Sequence, residues 1–132
     1  MTQKINYGPV YDKATRELNR ITANINRMTQ RVYTSEQEVI AANNKVLFLQ
    51  QRMNKIKELR DNLAHLYKAL NILNTEANNF YHKYDGIHPS LSAIYNSFSA
   101  SISAVENDII NFEAELEQFL TSVEKIYIFE VG

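Results

Sequence analysis

The chain has no cysteine, no tryptophan, three glycines and two prolines in 132 residues. Without cysteine there are no disulfides, no thiol chemistry and no redox clue to compartment. Few glycines and prolines leave few sharp turns and few backbone-defined sites. No glycine-rich phosphate loop, nucleophile elbow or zinc-type histidine pair on one helix face occurs. No stretch approaches the run of about 18–20 apolar residues that a membrane-crossing helix needs. The N-terminal residues Met1 to Asn6 lack the apolar core of a signal peptide. The expectation is a soluble protein of the cytoplasm or of a virion.

What is present is an apolar stripe that hardly stops. From Tyr11 it runs through Ala14, Leu18, Ile21, Ile25, Met28, Val32, Ser35, Val39, Ala42, Val46, Leu49, Met53 and Ile56. A second begins after Gly86 and Pro89, through Leu91, Tyr95, Phe98, Ile102, Val105, Ile109, Phe112, Leu116, Phe119, Val123 and Ile126. Steps of three and four keep residues on one side of a helix and make a seam for another helix. The fold class this predicts is all-α. It is an elongated antiparallel hairpin, or three-helix coiled-coil-like bundle, with a short apolar C-terminal tail. Residues 1–132 read as one helical domain, with helices over about 9–33, 36–84 and 90–126 and a turn at 85–89.

The boundaries have separate causes. Pro9 suits a first helical turn, where its missing N–H costs nothing. Ser35 and Glu38 fit a capping box, so a new helix starts at Glu36. Against that break, the stripe crosses residues 33–35 without losing phase. An unbroken helix from 10 to 84 would measure about 110 Å. Met53, Ile56 and Leu59 are two consecutive three-residue steps, which rotate the seam. Leu59 to Leu73 is the most apolar stretch and the expected core. Gly86 and Pro89 end one helix and start the next. The antiparallel register then sets Ile94 and Phe98 near Phe80 and Leu73, and Phe119 near Met53.

Charge is divided along the chain. Residues 1–84 carry 13 Lys or Arg against 7 Asp or Glu, and residues 85–132 carry 1 against 8. The expectation is that the acidic last helix lies beside the basic part. Glu113, Glu115 and Glu117 alternate, which scatters them around a helix, and they read as solvated charge. His82, Asp85 and His88, with Tyr81 and Tyr84 nearby, supply no fourth ligand and read as a helix end rather than a metal site. His65 reads as a boundary residue. Phe98, Phe112 and Phe119 at helical spacing read as core rather than as a ligand groove.

These readings point to a non-enzymatic structural or interaction protein with no cofactor. It would work as an oligomer or inside a larger assembly. Tyr33, Ile40, Leu47, Phe48, Ile72, Ile110 and Leu120 fall off the stripes and would make an apolar surface if exposed together. After Ile126 the β-favouring residues Tyr127, Ile128, Phe129 and Val131 suggest a strand-like tail that docks on a partner, the alternative being a frayed helix end packed back on its own hairpin. Frequent Asn, Tyr, Lys and Ile are the usage of an AT-rich genome, and the expected setting is a virion or phage component. Protein partners are expected, and no small-molecule substrate, nucleic acid or membrane. Two rivals remain: a membrane-active or secreted helical-bundle effector, and a nucleic-acid-binding helical protein. The first needs an apolar tip, but Asn78 to Ser90 carries His82, Lys83, Asp85 and His88. The second predicts affinity that falls steeply with salt.

Overall fold

The structure, a computed structural model, describes the backbone of residues 5–84 and 89–131 and the side chains of 5–83 and 91–122. It is an all-α bundle of three helices: α1 (Gly8–Gln30), α2 (Glu36–Tyr84) and α3 (Pro89–Val131). No strand occurs among the described residues. At 1.5 Å per residue the 49 residues of α2 span about 73 Å. α3 runs antiparallel to α2 along most of that length. α1 folds back beside the N-terminal half of α2 and lies parallel to α3.

The α1–α2 turn follows from capping chemistry. Ser35 Oγ accepts the Glu38 N–H at 3.2 Å, as a helix N-cap should. Glu38 Oε2 reaches back one residue further than a strict capping box. It accepts the Thr34 N–H and the Thr34 hydroxyl, each at 3.1 Å. α1 stops at Gln30, three residues before its expected end, because residues 31–35 form this turn. These bonds hold the Glu38 carboxyl below its ordinary 4.5, the Thr34 backbone N–H being the chief cause. A carboxylate with a lowered pKa stabilises above its unfolded value and ceases to as pH falls through the folded one. Ser35→Ala should cost about 0.5–2 kcal/mol of stability in thermal melts. Glu38→Gln should remove part of the acid sensitivity of the wild-type melt below the ordinary glutamate range.

α1 begins at Gly8, one residue earlier than Pro9 suggests, with Asn6 Oδ1 accepting the Gly8 N–H at 3.0 Å. Gly8 has φ +87°, and a Cβ there would stand 2.9 Å from Tyr67 Oη. Only glycine fits both the left-handed backbone and the approach of α2. Gly8→Ala should cost about 1–2 kcal/mol from backbone conformation alone. It should also push Tyr67 off Glu113, which absorbance titration of the phenol would show.

The core sits where three helices meet. Ala14, Leu18 and Ile21 of α1 meet Leu49, Ile56, Leu59 and Leu63 of α2 and Ile109, Leu116 and Leu120 of α3. Met53, Leu66, Phe112 and Phe119 pack around them. The core is therefore displaced toward the N-terminus of α2 from the expected Leu59–Leu73 stretch, because α1 covers that half. Leu120, expected off the seam, is wholly buried. The rotated phase at Met53–Leu59 falls where α2 has neighbours on two sides. Beyond Tyr67 only α2 and α3 remain, holding Ala77 buried and the Phe80 and Phe98 rings 5.9 Å apart. That contact meets the expected register. Arg52 over Phe119 places Phe119 beside the Met53 turn, also as expected.

α3 continues as helix to Val131, past the expected end near Ile126. The strand-like tail is thus corrected: adding residues to an existing helix is cheap, and that outweighs the β preference of Ile126 and Ile128. The side chains of Tyr127, Ile128, Phe129 and Val131 lie outside the described residues. So do the expected turn residues Asp85 to His88.

Candidate interaction surface

The described residues divide into a covered and an uncovered part of the same stripes. Val32 is 86% exposed, Val39 40%, Ile40 53% and Leu47 56%. Phe48, Ile72 and Ile110 are also exposed. Ile40 and Leu47 stand seven residues apart, two turns, and so share a side of α2. Tyr33 is half-buried in the turn, its hydroxyl donating to the Met28 carbonyl at 2.6 Å. Of the off-stripe residues, five are exposed and Tyr33 and Leu120 are not. Val32 and Val39 belong to the main stripe and should have been covered. They lie open because α1 ends before it can reach them.

A second exposed apolar group marks the two-helix end. Tyr81 and Tyr95 face each other with ring centroids 5.8 Å apart. Both rings are about half exposed, as is Ile94, and Ile72 lies further along α2. A periodic stripe shows which face of a helix is apolar. It does not show which stretch of that face has a neighbour, so Tyr81, Ile94 and Tyr95 were not legible as surface.

Polar groups enter the interior where α1 lies down. Lys13 Nζ donates to Glu117 Oε1 at 2.6 Å, tying basic α1 to acidic α3. Tyr67 donates to Glu113 Oε2 at 3.2 Å. Burial, then the Glu113 charge and hydrogen bond, raise the Tyr67 phenol above its ordinary value. Glu113 and Glu117 therefore share an inward side, one turn apart. Only Glu115 keeps the solvated character expected of all three. Half-exposed pairs of this kind are worth about 0–1 kcal/mol, so they orient α1 more than they hold it.

Three further side chains hold buried polar atoms whose bonding capacity is unused. Glu17 is 7% exposed; its Oε1 accepts Arg20 Nη1 at 3.0 Å, and its Oε2 has no partner. Arg60 lies over the Tyr11 ring and donates to Thr15 Oγ1 at 3.2 Å, with Nε unsatisfied. Arg52 sits between the Phe48 and Phe119 rings, 5.5 and 4.7 Å from their centroids, with Nε and Nη2 unsatisfied. Cation–π attraction replaces part of the lost hydration, and burial lowers its pKa.

Among the described residues no three His, Cys, Asp or Glu side chains are placed to hold a metal ion. His82 belongs to that set, whereas Asp85 and His88 are outside the described residues. His65 lines an open groove of about 490 Å³ with Asp108 and Glu115 above Leu66 and Phe112. No helix among the described residues is long and apolar enough to cross a membrane. No family model matches the chain, and neither does any curated protein or solved structure.

Proposed function

We propose that this chain is a non-enzymatic structural or interaction protein that works by self-association or within a larger assembly, with a virion or phage particle as the setting. The observation that carries the reading is the open apolar group Val32, Val39, Ile40 and Leu47, in the turn and the N-terminal part of α2, just ahead of the buried Leu49, Ile56, Leu59 and Leu63. Grouped apolar side chains on a helix of this length mark a surface that another protein covers. The tail residues Tyr127, Ile128, Phe129 and Val131 are the second element of that surface in this proposal. Residues 36–48 of α2 should exchange backbone amides rapidly in dilute protein and slowly at high concentration. Exchange in this stretch that ignores concentration overturns self-association. Deleting residues 127–132 should leave helix content and melting temperature nearly intact while weakening assembly. A truncated chain that melts much lower as a monomer places the tail in the intramolecular core instead.

A further inference from the structure

The chain turns at residues 31–35, yet the apolar stripe crosses them in helical phase. Val32, Ser35, Val39, Ala42 and Val46 keep the three-and-four spacing of the core on either side. A surface turn has no use for helix-phase valines, and here Val32 and Val39 are left in solvent. The turn contains neither Gly nor Pro, so no residue in it forbids a helix. It is held by side-chain bonds of Thr34, Ser35, Glu38 and Tyr33, all of which can be released.

We propose that α1 is exchanged between two copies of this chain. Residues 31–35 become helical, α1 and α2 join into one helix, and α1 of each copy takes the seat on α2 and α3 of the other. This rests on the self-association reading and names its partner as a second copy. The register follows from the closed form, where Thr22 lies on Met53 and Thr15 on Arg60. Carried through the hinge, it brings Val32 of one copy to the Ala42–Val46 turn of the other, and Val39 to Ser35 of the other. The exchange keeps every α1 contact and covers the seam that the hairpin leaves open. The pairing is isologous and closes as a two-fold dimer.

The absence of native cysteine makes the test clean. The double variant Thr22→Cys with Met53→Cys, treated with a short bifunctional maleimide, reports which chain α1 sits on. Circular dichroism verifies that it stays helical. The expected result is a chain-to-chain link on a denaturing gel and a dimer mass by light scattering. A dimer whose links are all within one chain overturns the exchange and leaves the proposed function standing. A monomer with internal links overturns both. A second variant, Glu36→Pro, suits the first turn of α2 but breaks a continuous helix. It should keep its helix content and raise the dimer dissociation constant about 10⁴-fold, because each of the two continuous helices would carry a proline costing roughly 3 kcal/mol. An unchanged dimer in Glu36→Pro overturns the proposal.

Discussion

Replacing Leu63 with alanine should lower stability by about 2–5 kcal/mol, because the residue is fully buried and the cavity cannot collapse between three long helices. For a chain of this size that is a fall in melting temperature of about 10–20 °C. The contrast lies on the same helix. Ile72, nine residues on, is largely exposed, and Ile72→Ala should change stability by no more than about 0.5 kcal/mol. Both are aliphatic residues of α2, so composition does not separate them. The helix face does: nine residues put the two side chains on opposite sides of α2, Leu63 inward and Ile72 outward. Equal losses at the two sites in urea or thermal unfolding would mean that α2 does not turn Leu63 into the core and Ile72 away from it.

The double variant Ile40→Lys with Leu47→Lys should act on assembly and spare the fold. Both side chains are more than half exposed, so the isolated chain loses little packing. Covering the remaining area of two such residues is worth about 1.5–3 kcal/mol, and lysine forfeits it. The dissociation constant of the assembled form should rise about 10- to 100-fold. Circular dichroism and the melting temperature of the dilute protein should match wild type. A large drop in that melting temperature would show that these residues belong to the chain's own core.

Much of this architecture is legible in the residues themselves, because helical spacing is a local signal. The stripes mark all three helices, and Ser35 with Glu38 marks the start of α2 to the residue. The Phe80–Phe98 contact follows from the Gly86–Pro89 turn and an antiparallel register. What escapes is information about neighbours. Leu120 looked off-seam because a single stripe describes one contact face, whereas α3 is covered by both α1 and α2. Glu113 and Glu117 read as solvated until Tyr67 of α2 and Lys13 of α1 are placed against them. Arg52 and Arg60 carry no sequence sign that their guanidinium groups lie over rings supplied by other helices. Gly8 carries no sequence sign that Tyr67 closes over it. At the C-terminus, local β preference misled, since α3 simply runs on. The interaction surface is half visible: Ile40, Leu47 and Phe48 break the pattern, while Val32 and Val39 fit a seam whose covered part does not extend so far.

The central claim is that the open stretch of α2 is covered by protein when the chain is at work. The most direct test is the solution mass of the full chain by multi-angle light scattering across a wide concentration range. A mass that rises from the 15.3 kDa of one chain to a defined multiple is the predicted result. A mass that stays at one chain up to the highest soluble concentration would contradict it.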